Sequence, residues 1–242
     1  LLRAALGAQL RTLGVEVRLG TRVERVARTR LGGFELALVG GEREGFDAVV
    51  NCAYSELHTL TEQLGHELEP RRFELTSLAV VELGWERACG LTVLDGPFVT
   101  VLPYDNSRHH LLYHVRHSVL DSAEALRPPA EWSQPDRSPL GQLDVERWFA
   151  ALTGGVREFF PELTQIQLRG LLQGPRVVLA DRVATDTRPS FVTCHEPGYL
   201  TVFAGKLDHC LSAADEVVLQ LERAAPPPYR VTETTLPLQL NR

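Results

Sequence analysis

The sequence predicts an α/β protein that carries an additional β-rich lobe, and three observations lead to this fold class. Apolar residues at helical spacing open the chain and recur after residue 145. Runs rich in β-branched and aromatic residues fill much of the interval between them. Finally, TVFAGKLDHCLSAADEVVLQL, residues 201 to 221, passes from a strand through a glycine turn into a helix.

The first 60 residues predict a helix followed by strands. Apolar side chains recur with helical spacing up to Gly14, at Leu2, Leu6, Leu10 and Leu13. VEVRL, residues 15 to 19, alternates as a strand does, and so do TRVERVA and FELALV. FDAVVN, residues 46 to 51, is a dense apolar run, which is typical of a strand buried on both faces. SELHTLTEQL, residues 55 to 64, predicts a helix capped by Ser55.

The middle of the chain predicts an antiparallel meander. Its three strand-forming stretches are LTSLAVVEL, LTVLDGPFVTVLP and HLLYHVRHSVL, and Asp95-Gly96 favours a tight reversal inside the second. A loop rich in Pro and Ser is expected at 127 to 139. A strong helical stripe then runs from Val145 to Phe160 and ends at Pro161.

The C-terminal part predicts a strand-like region from Ile166 to Leu179 and then ADRVATDTRPSF. The strand, turn and helix of residues 201 to 221 follow, and AAPPP at 224 to 228 breaks that helix and stiffens a tail.

Composition and charge exclude several classes of partner. The formal net charge is −6, and no run of Lys and Arg indicates a nucleic acid or an anionic membrane as partner. No apolar run is long enough to span a membrane, and the N-terminus lacks the features of a signal peptide. The sequence therefore predicts a cytoplasmic protein. The four scattered cysteines predict buried reduced thiols rather than a disulfide framework.

The turn at Ala204-Gly205-Lys206 is the first candidate site. A strand, glycine turn and helix in this order aim unpaired backbone N–H groups and the positive end of a helix dipole at one point, which suits an electron-rich ligand. The alternative is a glycine needed only for the turn, with a solvated Lys206. The turn is not a P-loop, because Leu207 stands where a P-loop has Ser or Thr.

Metal and hydrolase chemistry find little support in the sequence. HHLLYHVRH, residues 109 to 117, brings at most two histidines to one face of a strand. Cys194-His195 and His209-Cys210 each offer one ligand at most to a common site. We therefore predict no metal site. The chain also lacks the Gly-x-Ser-x-Gly elbow of many hydrolases.

Three separated segments resemble the D-amino-acid oxidase-like superfamily of FAD-dependent oxidoreductases. GVEVRLGTRVERV followed by FDAVVNCAYSEL resembles the part of that superfamily in which a small sheet leads to a strand ending beside the flavin. GLTVLDGPFVTVLPY and LLYHVRHSVL are similar to its antiparallel substrate-domain strands. DRVATDTRPSF with GYLTVFAGKLDHCLSAADEVV resembles its C-terminal flavin-contacting segment.

The resemblance implies a fold, a domain organisation and an activity. The fold would be a remnant of an FAD-binding Rossmann-like domain with an antiparallel β-rich substrate-binding lobe. Residues 1 to 60 and 165 to 223 would form the two parts of the FAD-domain remnant, 61 to 164 the lobe and 224 to 242 a tail. The enzyme would transfer a hydride from an amine- or hydroxyl-bearing carbon of a small substrate to flavin.

The resemblance also implies residues for each role. The cofactor FAD would lie against Ala53 and Tyr54, and against Gly205, Lys206 and Leu207, whose N–H groups would face the flavin pyrimidine edge. The substrate would meet a second set of side chains, which is Tyr113, His114, Arg116 and Arg188.

Two departures from the superfamily pattern bear on this reading. Ala53-Tyr54 stands where the superfamily usually has Ala-Gly, so that a bulky ring would crowd the flavin. The Gly-x-Gly-x-x-Gly fingerprint that seats the pyrophosphate is absent from the chain. By analogy the fingerprint lies in an N-terminal segment upstream of Leu1, and the chain is the C-terminal portion of a flavoenzyme. The alternative is a non-catalytic ligand-binding or scaffolding protein derived from the same fold.

Overall fold

The structure is a computed structural model that describes residues 2–86, 89–94, 98–104, 108–134, 136–179 and 188–224. The predicted reversal at Asp95-Gly96, most of ADRVATDTRPSF and the Pro-rich tail lie outside these residues. Across the described ranges, no helix has both the length and the apolar character needed to cross a membrane.

The chain opens with helix α1, Leu2–Thr12, as the spacing of its leucines predicts. The strand expected at VEVRL is wrong, because residues 15 to 19 pair with no described strand. A strand needs a neighbour to bind its backbone N–H and C=O groups. Without one, Val15, Val17 and Leu19 remain between 46% and 79% exposed.

A small antiparallel sheet follows, formed by β1 (Val23–Arg28), β2 (Phe34–Leu38) and β3 (Arg43–Phe46) in that order. The alternation of TRVERVA and FELALV predicted the first two strands. Val26 and Phe34 are buried beneath this sheet in a cluster with Leu64 and Tyr199.

Strand β4, Val49–Asn51, is shorter than the run FDAVVN suggested, and its two valines are only half-buried. The expectation of burial on both faces is therefore wrong. A 3₁₀ turn, helix α2 (Leu57–Thr61) and a second 3₁₀ turn follow in place of one helix. Ser55 is not a helix cap, because it lies inside the first 3₁₀ turn and no side chain caps that turn.

The β-rich lobe is a six-stranded sheet, as the meander predicts. Its long strand β5, Arg71–Glu82, pairs with β10, Gln167–Val178, along nearly its whole length. On its other side β5 pairs with two shorter strands, β8 and β9. The remaining members of the sheet are β6 (Leu91–Thr92), β7 (Val99–Pro103), β8 (His109–His114) and β9 (Val119–Ala125).

Helix α3, Val145–Phe159, covers one face of this sheet and ends before Pro161, as predicted. Its first turn is capped by the Asp144 carboxylate, which accepts a hydrogen bond from the N–H of Arg147. Trp148, Leu152 and Val156 pack into the largest apolar core of the described chain.

A third sheet combines β11 (Phe191–Glu196), β12 (Tyr199–Phe203) and β4. β11 pairs with β12 in antiparallel fashion, whereas β12 and β4 are parallel. Helix α4, Cys210–Ala224, follows the glycine turn as the sequence predicts. The α/β fold class with a β-rich antiparallel lobe is thus confirmed.

The cysteines correct one expectation. All four are free thiols, as predicted, but they are exposed rather than buried. They therefore contribute little to the core.

Candidate active site

The parallel pairing of β4 and β12 places the two predicted cofactor turns next to each other. Asn51 lies opposite Thr201 in the register, so that both strands run to the same edge of the sheet. Ala53-Tyr54 leaves the end of one strand and Ala204-Gly205 leaves the end of the other. Open α/β sheets bind ligands outside the carboxyl ends of their parallel strands. The candidate site is therefore this edge.

The side chain of Asn51 holds the turn at Ala53-Tyr54 in place. The buried side chain donates to the carbonyl of Leu57 at 2.9 Å and to the Tyr199 hydroxyl at 3.1 Å, and its Oδ1 accepts the N–H of Ala53 at 3.0 Å. An amide with these bonds satisfied is held in one orientation. The turn at Ala53 is therefore pre-formed.

Tyr54 adopts an unusual backbone conformation in this turn. Its φ of 52° makes it the one non-glycine residue with positive φ in the described part of the chain. Its hydroxyl accepts the N–H of Val177 on β10 at 3.0 Å, so the ring bridges the turn and the six-stranded sheet. The side chain is 37% exposed.

The second turn is held against the segment that begins at Arg188. A Cβ on Gly205 would lie 2.2 Å from the carbonyl oxygen of Arg188 and 2.3 Å from that of Pro189, so only glycine allows this approach. The Gly205 N–H donates to Ser190 Oγ at 3.0 Å, and the same oxygen lies 3.1 Å from Nδ1 of His209. The structure thus brings Arg188 and Gly205 together.

Lys206 and Leu207 follow in the same turn and are exposed, Leu207 to 77%. The peptide units of Lys206 and Leu207, which the sequence analysis assigned to cofactor binding, therefore lie at the protein surface.

Sequence reasoning missed a second polar group, which lies on the face of the six-stranded sheet that α3 does not cover. The guanidinium of Arg176 on β10 binds the Glu74 carboxylate on β5 through Nε and lies 5.7 Å from the centroid of the Tyr113 ring. Burial lowers the pKa of Arg176, but Tyr113 and the Glu74 carboxylate together raise it above its usual value. The sequence gives no signal for this pair, because only the register of the folded sheet brings Arg176 opposite Glu74.

Tyr113 is the predicted substrate residue that lies in this group. Its buried hydroxyl lies beside the Arg176 guanidinium and helps to raise the pKa of that arginine.

The structure separates His114 and Arg116 from Tyr113. His114 ends β8 on the face that α3 covers, is 2% exposed, and its ring leaves no room for a Cβ on Gly155. Its Nδ1 accepts the N–H of Arg116, which lies exposed in the turn after the strand. The alternation of nine residues across HHLLYHVRH is wrong beyond His114, because the chain turns at residues 115 to 117.

The histidines near the third sheet do not form a metal centre. His66 binds Glu196 at 3.0 Å, and His195 binds Thr201 at 2.9 Å. Burial, together with the neighbouring His66, lowers the pKa of His195. No group of three or more potential metal ligands occurs within the described ranges.

An edge of this kind, where two parallel strands end beside each other, is a common ligand-binding place in α/β proteins, nucleotide cofactors included. Residues 1–207 match the family described as DAO, FAD dependent oxidoreductase. The chain belongs to this family, whose cofactor is FAD.

Solved structures of amino acid oxidases share the fold. NikD, an unusual amino acid oxidase essential for nikkomycin biosynthesis, is 15% identical in its open form with a TM-score of 0.63, covering 94% of this chain and 56% of NikD. Glycine oxidase from Geobacillus kaustophilus is 16% identical with a TM-score of 0.60, and the match covers 91% of this chain and 53% of the oxidase. L-amino acid deaminase from Proteus vulgaris is 11% identical with a TM-score of 0.61, and the match covers 93% of this chain and 59% of the deaminase. No curated protein sequence matches the chain.

The chain spans little more than half the length of these structures. Its own residues nevertheless suit a flavin at the edge described above. The exposed turn at Lys206 and Leu207 offers a surface for the ring.

Proposed function

We propose that this chain is the substrate-binding and C-terminal flavin-contacting portion of an FAD-dependent oxidoreductase. The observation that carries the proposal is the parallel register of β4 and β12, which sets Ala53-Tyr54 and Ala204-Gly205 side by side at one edge. Family membership over residues 1–207 supports it independently.

The reaction we propose is removal of a hydride from an amine- or hydroxyl-bearing carbon of a small substrate. FAD, when bound, accepts that hydride. The chain supplies orientation and electrostatics. Backbone N–H groups of Lys206 and Leu207 at the start of the α4 region place positive partial charge where the cofactor gains electrons. Gly205 contributes by close packing, since its own N–H is bound to Ser190.

The substrate in this proposal is a small amine-bearing acid, in keeping with the names of the amino acid oxidases that share the fold. Tyr113 and Arg176 lie together on the face of the sheet that α3 does not cover, and in this proposal the hydroxyl and the guanidinium paired with Glu74 face such a ligand. Arg188 stays a predicted substrate residue because its backbone adjoins the turn. His114 and Arg116 are not retained in this role.

The remaining cofactor contacts would come from a dinucleotide-binding segment of the same polypeptide. The length of the related structures supports this part of the proposal, since the chain covers only 53% of glycine oxidase and 56% of NikD. The cytoplasmic location stays a prediction from the sequence.

An FAD titration tests the proposal. The chain and a polypeptide extended upstream to the native start are each titrated with FAD, and flavin absorbance and fluorescence are recorded. We expect tight binding by the extended form and weak or no binding by the chain alone. Failure of both forms to bind would refute the proposal.

One observation favours a second candidate, a non-catalytic binding protein of the same fold. Tyr54 holds a left-handed backbone conformation that suits glycine, and its ring crosses from the cofactor edge to β10. A side chain in this position occupies space beside the turn and closes it with a hydrogen bond to Val177. A protein that no longer binds flavin has no need to keep this turn open, so a tyrosine that closes it would not impair its function.

A further inference from the structure

Arg71 is a half-buried cation with one buried nitrogen that no described residue pairs. It begins β5 beside the end of β12, and its guanidinium carbon lies 4.5 Å from the centroid of the Phe203 ring. Phe203 is buried and stacks on Phe191 with 6.2 Å between the centroids. The aromatic pair therefore holds the guanidinium in a fixed place.

One terminal nitrogen of this guanidinium has nothing to bind. Nη1 of Arg71 is buried and has no hydrogen-bond partner in the part of the chain that the structure describes. Arg176, which is also half-buried, has the carboxylate of Glu74. A buried charged donor without a partner is strongly unfavourable unless a ligand pairs it.

The groups around Arg71 do not neutralise it. Burial lowers the pKa of Arg71, and among the described residues the exposed Glu69 is the group that opposes this effect. His58 and His195 both have pKa values lowered by burial and, to a smaller extent, by the charge of Arg71 itself. Their ring nitrogens bind the carbonyl of Leu126 and the hydroxyl of Thr201. The local field is therefore positive, and the missing partner is an anion.

Arg71 lies close to the candidate active site. Phe203 is the last residue of β12, directly before Ala204-Gly205. It shares an apolar cluster with Val177, the residue whose N–H binds Tyr54. The guanidinium thus lies within the framework that supports both cofactor turns.

We propose that Arg71 is the anion-binding residue of this edge, and that its terminal N–H groups bind a ligand oxygen carrying negative charge. The oxygen belongs to a substrate carboxylate or to the pyrimidine edge of the reduced flavin, and the chemistry of recognition is the same for both. The inference rests on the proposed function and names a residue that it did not use.

The test compares Arg71→Met with Arg169→Met. Methionine keeps an unbranched apolar side chain over Phe203 and removes the charge. Arg169 is a matched control because it is an exposed arginine at the far end of β10 that pairs with Glu82. Benzoate is titrated into each protein, and binding is measured from the change in the melting temperature of the protein. In the wild type, binding is also measured from the Nε–H NMR signal of Arg71. The midpoint reduction potential of the FAD-loaded, upstream-extended polypeptide is the second measurement.

A carboxylate ligand predicts that Arg71→Met weakens benzoate binding by about tenfold to a hundredfold, the value of one charge-assisted hydrogen bond. A flavin ligand predicts instead a lower reduction potential with unchanged benzoate binding. Either result supports the assignment when Arg169→Met leaves both quantities unchanged. Unchanged benzoate binding and potential, with a lower melting temperature for Arg71→Met, would show that Arg71 serves only to pack on Phe203.

This outcome is distinct from failure of the proposed function. If no form binds FAD, the proposed function fails while the benzoate titration still tests Arg71. If FAD binds and Arg71→Met changes neither quantity, the function stands and the assignment is overturned.

Discussion

At the scale of single residues, Tyr54 decides between the two candidate functions. We expect Tyr54→Gly to relieve the positive φ, which costs a non-glycine residue about 1 kcal/mol, and to lose the hydrogen bond from Val177, worth about 1 kcal/mol. Stability should therefore change little, and the turn gains room for a flavin.

The comparison is made in the upstream-extended polypeptide by FAD titration, with Tyr54→Phe as the control. Phenylalanine keeps the ring and the φ but removes the hydroxyl. If the ring excludes the cofactor, Tyr54→Gly binds FAD more tightly and Tyr54→Phe does not. Equal affinities in all three proteins would mean that the ring is compatible with a bound flavin.

His110 is a second residue whose environment yields a prediction. It is 3% exposed, both ring nitrogens lack a partner among the described residues, and its nearest aromatic neighbour is Trp85, with 5.0 Å between the ring centroids. Replacing a buried polar group that makes no hydrogen bond with an apolar one of similar size removes its desolvation penalty, about 1 to 3 kcal/mol. We expect His110→Leu to raise the free energy of unfolding.

Urea denaturation measures this change, and His114→Leu is the matched comparison on the same strand. His114 is equally buried, but its Nδ1 accepts the N–H of Arg116 and its ring packs on α3. Its replacement should lower the free energy of unfolding. A loss of stability in His110→Leu would contradict the prediction.

At the scale of elements, two adjacent glycines on α3 have opposite expected effects. A Cβ on Gly155 would lie 2.4 Å from Nε2 of His114, whereas a Cβ on Gly154 would meet nothing within 4 Å. Gly155→Ala should therefore destabilise by about 1 to 3 kcal/mol through overpacking. Gly154→Ala should stabilise by about 0.5 to 1 kcal/mol, because alanine loses less conformational entropy in a helix.

Thermal unfolding of both variants checks the pair. A result in which the two variants shift the melting temperature in the same direction would show that α3 moves away from β8 rather than resisting the added methyl group.

The elements also show what the sequence can predict here. Helical periodicity predicted α1, α3 and α4 after Gly205, and runs of strand-forming residues predicted β5, β10 and β12. The alternation of apolar and polar residues gave wrong strand predictions for VEVRL and for the end of β8. Whether a strand finds a pairing partner, and where the chain turns, depend on tertiary structure. Two thirds of the pattern HHLLYHVRH forms a strand, and the remaining third turns at residues 115 to 117.

The candidate site was predicted in part for the same reason. Gly205 comes from a local turn signal that is visible in the sequence, and Tyr54 comes from the resemblance to the superfamily. Arg176 with Glu74, and Arg71 with Phe203, join strands far apart in the chain. Only the register of the sheets reveals such pairs, and a single sequence does not specify that register.

At the scale of the whole molecule, the segment after α1 presents an apolar surface without a described partner. Val15, Val17 and Leu19 alternate with Glu16 and Arg18, and with α1 they line a groove of about 1020 Å³. In the described chain, the outer edge of β4 is also unpaired. We expect the dinucleotide-binding segment of the proposed enzyme to cover this surface and to turn residues 15 to 19 into a strand.

Val17→Lys tests this expectation. A lysine on the exposed valine should leave the melting temperature of the chain alone nearly unchanged, because surface substitutions usually alter stability by at most about 0.5 kcal/mol. In the upstream-extended polypeptide the same lysine would be buried without a partner, so FAD binding should weaken strongly. Leu31→Lys is the control, since Leu31 is fully exposed in the hairpin between β1 and β2. Equal FAD affinity in both variants would place the dinucleotide-binding segment elsewhere on the molecule.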